Sequence, residues 1–263
     1  GKNKKRNSNI KILNSFFERI KFKNKFDFVI NNAVLEHQIN PKRFLKKIKS
    51  ILKHKGIVFV CVPDYEKQLM CGDPTLIHHE HLSFFTKETL KNILKLCKFS
   101  NVKTFNDNLG NLYGLGKNNN GYNYKKKLLN SNKNGGNLVK RYDQLFKKTL
   151  KKIEKWISSN LENGMNLGLY GVTPAITSIF SHINTDKKKI FIFDSDKSKQ
   201  NKYLTGFKNP ILHPREINKR KISKIIILPL YYEKEIKNFL INKINFNKEH
   251  LVLLSRFLNK KFN

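Results

Sequence analysis

Two apolar runs and the segment between them leave this chain few choices of fold. Phe26-Asp-Phe-Val-Ile30 is nearly continuous in apolar character, and so is Ile57-Val-Phe-Val-Cys-Val62. Such runs suit strands of a parallel sheet buried on both faces. Between them Phe44, Leu45, Ile48, Ile51 and Leu52 recur at helical spacing, with Pro41 opening the helix and Gly56 closing it. Strand, helix and strand with short connections form the crossover unit of a parallel α/β sheet. Ligands of such sheets bind off the carboxyl ends of the strands. That rule sets Asn31-Asn32, Pro63-Asp64 and the loop that follows along one edge. Upstream, Ile10 to Phe17 reads as a short strand running into a loop. Downstream, a helix over 87–97 precedes two strands, Phe99 to Phe105 and Asn111 to Gly116, expected to pair antiparallel at the end of the sheet.

The loop beyond Pro63-Asp64 holds the chain's densest polar cluster. Of eight histidines, three fall within four residues, as His78-His79-Glu80-His81. Apolar residues flank them, and Thr86 looks like a helix start. A polar cluster between a buried strand and a helix has the form of a catalytic loop; the competing reading is a solvated turn. Adjacent side chains point different ways and no His-x-x-x-His pair is present, so the pattern points to no metal site.

Composition narrows the partners. The formal net charge is +34, yet Arg stands only at positions 6, 19, 43, 141, 215, 220 and 256. Lys is spread through every segment together with Asn, Ile and Phe. Nucleic-acid readers concentrate Arg on one face and interleave aromatics, so the distribution argues against that function while leaving a surface attractive to anionic ligands. No apolar run reaches the roughly 20 residues needed to span a bilayer, and no signal peptide is evident, so a cytoplasmic protein is the expectation. Cys61, Cys71 and Cys97 form no C-x-x-C pair, which argues against disulfides and a thiolate zinc site.

The second half repeats the α/β alternation. Residues 117–137 are rich in Asn, Gly and Lys and read as a linker between a domain at 1–116 and another at 138–263. Leu138, Tyr142, Leu145, Leu150, Ile153, Trp156, Ile157 and Leu161 predict one long amphipathic helix ending at Gly164. Strands follow at 166–171, 189–193, 224–228 and 251–254, with helices between, as in a small doubly wound domain. Gly168, Gly171 and Asp194 imitate a dinucleotide fingerprint, but the glycine spacing departs from G-x-G-x-x-G.

The first-half residues, Phe-Asp-Phe-Val-Ile-Asn-Asn-Ala-Val-Leu-Glu-His through Val-Pro-Asp, resemble the later half of class I S-adenosylmethionine-dependent methyltransferases. The segment His-Glu-His-Leu-Ser-Phe-Phe-Thr resembles the sugar C-methyltransferases that act on nucleotide-linked keto sugars. Those carry a Tyr-His-Glu-His-x-Ser-Tyr-Phe-type segment; here His78 replaces the first Tyr and Phe84 the second. Gly-Leu-Tyr-Gly, Phe-Asp-Ser-Asp and Pro-Ile-Leu-His-Pro resemble the C-terminal domain that accompanies those enzymes. The resemblance implies the C-terminal part of a Rossmann-like methyltransferase sheet followed by a second doubly wound α/β domain. It implies His81 as a base for C-methylation, with Glu80 assisting and His78 touching the sugar. It implies S-adenosylmethionine as cofactor, with Asn31, Asn32 and Phe16 at its edges and a nucleotide sugar as partner. The Gly-rich turn, the ribose-binding acid and the family's Cys-rich zinc module have no counterpart before Phe26. The expectation is therefore a portion of a longer enzyme, or a degenerate copy, with weak cofactor binding. The alternatives are an O-methyltransferase of the same fold and a non-catalytic polyanion-binding protein.

Overall fold

The computed structural model describes residues 10–77, 80–107, 109–119, 121 and 131–259. In the first domain β1 (Phe26–Asn32) runs parallel to β2 (Leu52–Pro63), with α1 (Pro41–Ile51) between them. A short helix α2 (Glu66–Cys71) and α3 (Lys87–Leu96) lead to β3 (Phe99–Asn106) and β4 (Asn111–Asn118). The sheet order is β1-β2-β4-β3, so the antiparallel pair expected from sequence is present and β4 is the strand that joins β2.

Local chemistry accounts for the helices. Asn40 caps α1 by accepting the Arg43 amide at 2.9 Å, and Pro41 supplies a first-turn φ with no amide to satisfy. Thr86 and Thr89 cap α3 reciprocally. Both helices turn their apolar stripes to one face of the sheet, where Leu45, Ile48, Leu90 and Leu94 meet Val58, Val60 and Val62. Each fully buried leucine contributes about 1.5–3 kcal/mol of transfer free energy.

Several expectations are corrected. Ile10 to Phe17 is not a strand; these residues form no regular secondary structure and are mostly exposed up to a 3-10 turn at Phe17–Arg19. β1 is not buried on both faces. Among the described residues its one sheet neighbour is β2, and the helices cover the opposite face, so Phe26, Phe28 and Ile30 stay exposed, Ile30 at 64 %. α1 ends at Ile51, not at Gly56, which lies inside β2. A Cβ on Gly56 would meet the carbonyl oxygens of Phe26 and Asp27 at 3.1 Å, so that glycine serves close strand approach.

The second domain starts with α4 (Ser131–Glu162), seven residues earlier than the apolar spacing predicts, so 131–137 is helix and not linker. Positions 122–130 fall outside the described residues. β5 (Leu167–Tyr170), α5 (Pro174–Phe180), β6 (Ile190–Phe193), β7 (Ile211–Leu212), α6 (Glu216–Lys219), β8 (Lys224–Ile227), α7 (Glu233–Ile244) and β9 (Leu251–Leu253) complete it. All its strand pairs are parallel, in the order β7-β6-β5-β8-β9. Strand order reverses at β5, the doubly wound pattern expected. The fingerprint residue Asp194 is committed within its own turn: its carboxylate accepts the Val172 amide at 2.7 Å and Lys199 Nζ at 3.3 Å.

The domains meet on the segment after β2. Tyr142 donates its hydroxyl to the Asp73 carbonyl at 3.0 Å, and Ser178 donates to the Pro74 carbonyl at 3.1 Å. Tyr65 and Leu76 enter the same apolar core as Tyr142, Phe146 and Ile176. The loop carrying the histidines is therefore braced by both domains.

Candidate active site

The site assembles from three short segments at the carboxyl ends of β1 and β2. After Asn32 the chain turns through Ala33, at φ 51°, into a 3-10 turn over Leu35–His37. Leu35 anchors the turn in the core and Glu36 is buried beside it, 1 % exposed. After β2, Asp64 is held by three contacts. Its amide donates to the Gly110 carbonyl at 2.8 Å, and its carboxylate accepts the Glu66 amide and Asn106 Nδ2. Tyr65 follows, 2 % exposed, its ring edge-on to Phe84 at 4.9 Å.

These segments fix the histidine loop from two sides. The Leu82 and Ser83 amides donate to the Glu36 carbonyl at 2.9 and 3.0 Å, and the Tyr65 amide donates to the Phe85 carbonyl at 3.3 Å. His37 Nδ1 meets the Glu80 carbonyl at 2.7 Å. A carbonyl only accepts, so the proton of neutral His37 sits on Nδ1 and the lone pair on Nε2. His81 Nδ1 is hydrogen-bonded to the Tyr65 hydroxyl. Its ring stands edge-on to that of His37, with centroids 4.7 Å apart. The ligand atoms offered by Glu36, His37 and His81 lie within 4.8 Å of one another.

Burial sets the electrostatics. Desolvation raises the Glu36 pKa, opposed by hydrogen bonding to backbone and by the His37 charge. One of its oxygens, Oε2, has no hydrogen-bond partner. Desolvation chiefly, with the Glu36 and Tyr231 charges, raises the Tyr65 pKa, so the phenol stays protonated. Desolvation likewise raises the Cys61 thiol on β2, leaving it a poor nucleophile.

Of the residues expected from sequence, His81 and Glu80 come together with His37. The Glu80 contact is through its main-chain carbonyl. Asn31 and Asn32 end β1, and Asn31 is buried with its Oδ1 unpartnered. Phe16 stands elsewhere: it is 70 % exposed, and its neighbour Phe17 leads through Phe22 to Phe26, the amino end of β1. His78 and His79 lie outside the described residues. Glu36 and Tyr65 were not singled out by sequence reasoning. The Leu-Glu-His triplet was the available signal for Glu36, whereas nothing local marks Tyr65, which reaches His81 only through the fold.

A methyltransferase-domain family model matches residues 3–104, and a model for a C-methyltransferase C-terminal domain matches residues 127–250. The chain combines a methyltransferase domain with a C-methyltransferase C-terminal domain. No curated protein matches it. Among solved structures, an O-methyltransferase family protein from Burkholderia thailandensis is similar over 38 % of this chain at 10 % identity, with a TM-score of 0.31. The match spans about a third of that protein's length, 32 %.

The methyltransferase domains imply S-adenosylmethionine as the methyl donor. The residues present fit it in part. The buried Asn31 Oδ1, at the carboxyl end of β1, is an acceptor without a hydrogen-bond partner, as a site for a ligand donor requires.

Proposed function

We propose that this methyltransferase methylates carbon, on a nucleotide-linked keto sugar, with His81 as the base. The observation that carries the reading is the hold on His81. One ring nitrogen is tied to a buried phenol and the ring is set against His37, at the carboxyl ends of two parallel strands, in a chain whose other half matches a C-methyltransferase domain.

A carbon beside a ketone becomes a nucleophile only after losing a proton. Neutral imidazole titrates near neutrality and suits that task. With the Nδ1 proton directed at Tyr65, the Nε2 lone pair of His81 accepts the substrate proton, and Tyr65 keeps the ring oriented. S-adenosylmethionine supplies the electrophilic methyl group. The electron pair released at carbon would be the nucleophile for that methyl group once the donor is bound. Asn31 and Asn32 would hold the donor's edge. Glu80 assists by locking His37 through its carbonyl, and the family resemblance assigns His78 to the sugar. The Lys-rich surface favours approach of an anionic nucleotide.

The test is deuterium exchange into a nucleotide-linked keto sugar, followed by NMR in deuterated water without the methyl donor. Exchange at the carbon beside the ketone is expected, with His81→Ala slowing it about 10²–10⁴-fold. Exchange undiminished in that variant overturns the assignment of the base.

A further inference from the structure

We propose that Glu36, His37 and His81 form a site for a divalent transition-metal cation of the zinc type, and that the bound ion switches the centre off by occupying the base. The second half rests on the reading of His81 given above; the first does not.

The donors converge although they come from separate segments: all three ligand atoms lie within 4.8 Å of one another. Tetrahedral bonds of about 2.0–2.1 Å place ligand atoms roughly 3.4 Å apart, a closure that side-chain rotation supplies. Glu36 is the strongest pointer. Its carboxylate is almost wholly buried, and Oε2 has no hydrogen-bond partner. A buried carboxylate left in that state is costly unless a cation answers it. The chain carries 53 Lys and Arg, yet the ion-pair contact of Glu36 among the described residues is with His37, at 3.8 Å.

His37 is prepared as a ligand. Its Nδ1–H donates to the Glu80 carbonyl, the outer hydrogen bond that orients metal-binding imidazoles. The Nε2 lone pair consequently faces the Glu36 carboxylate, and two electron-rich groups aimed at each other call for a positive charge between them. Tyr65 gives His81 a corresponding outer partner. Two imidazoles and one carboxylate select zinc or cobalt over magnesium and calcium, which prefer all-oxygen shells. Among the described residues, the fold thus builds the donor set around His81 from segments that are distant in sequence. An ion bound there takes a lone pair that proton removal requires.

Isothermal titration of the full chain with zinc chloride, with cobalt(II) absorption as a second probe, tests the site. One ion per chain is expected. Glu36→Gln and His37→Gln should each weaken binding at least tenfold and diminish the tetrahedral cobalt bands, with circular dichroism confirming that each variant folds. His37 is partly exposed, so its substitution separates ligand loss from misfolding. Absence of saturable binding, or unchanged affinity in a folded variant, overturns the site. Zinc should also abolish the deuterium exchange of the wild-type chain, with the inhibitory concentration rising at least tenfold in His37→Gln. Exchange that continues at saturating zinc overturns the switch. Zinc bound through Glu36 and His37 in a chain that never exchanges supports the site and refutes the catalytic reading instead.

Discussion

At the scale of single residues the site is built on a tension at Glu36. Its neighbour in sequence, Leu35, anchors the turn in the core, and Glu36 is carried in with it to hold the loop through its carbonyl. The side chain is then desolvated without a full complement of partners. Residues that serve function at the expense of stability show this pattern. Glu36→Gln removes the buried charge at nearly constant shape, so at pH 7 the variant should be more stable, by on the order of 1 kcal/mol. A thermal midpoint above that of the wild-type chain is the expected reading, and a lower one means that the carboxylate contributes structurally. Tyr65 differs in kind. Its hydroxyl is satisfied by His81 and its ring by the core, so function and packing favour the same residue.

Among the elements, the β3–β4 hairpin also approaches the second domain, at Gly110 and Tyr231. Gly110, at φ 85°, gives its carbonyl to the Asp64 amide, and a Cβ there would lie 2.3 Å from the Tyr231 ring. Gly110→Ala combines backbone strain with a steric clash and should cost about 1–3 kcal/mol, seen as a lowered denaturation midpoint. The hairpin also reports on pH. Burial alone would raise the Asp107 pKa, but hydrogen bonds from the Asn111 side chain and amide, the Tyr113 hydroxyl and the Leu109 amide outweigh it and hold the carboxyl at about 2. A folded pKa below the ordinary 3.8 gives stability that is full above that value and is lost as pH falls through about 2. Asp107→Asn should therefore be less stable than wild type at pH 5, and the difference should vanish near pH 2 in acid titrations followed by circular dichroism. These elements also show what is legible in sequence. Helical spacing and caps located α1 and α3, and apolar runs located the strands, because those signals are local. The exposure of β1 was not legible, since Phe26, Phe28 and Ile30 read as core whether or not anything covers them. The Ser131–Asn137 turns escaped because Asn and Gly favour loops, and α4 extends through them regardless. The histidine loop stood out by composition, whereas the contacts that give it meaning, from Glu36 and Tyr65, depend on how distant segments meet.

For the whole molecule, the two domains are unequal in what they finish. The second has a five-stranded sheet with buried residues on its central strands, and it clamps the segment that carries Tyr65. The first offers a four-stranded sheet with Phe28, Ile30 and Ile57 exposed on the face away from α1 and α3. A small-molecule cofactor held at micromolar affinity needs about 8.2 kcal/mol of binding free energy, and sites that supply it bury roughly 70–90 % of the ligand. Asn31, Asn32 and the end of β1 provide one edge of such a site. Among the described residues β1 has no neighbour on its outer side to provide the opposing wall. These residues alone should therefore bind S-adenosylmethionine more weakly than micromolar. Titration calorimetry of the chain is expected to give little or no heat at tens of micromolar, and a saturating isotherm there means that the exposed face of β1 is itself a cofactor wall. Proton exchange at the sugar asks only for the His81 cluster and its substrate, which is why that reaction, and not methyl transfer, is the one the chain is expected to show first.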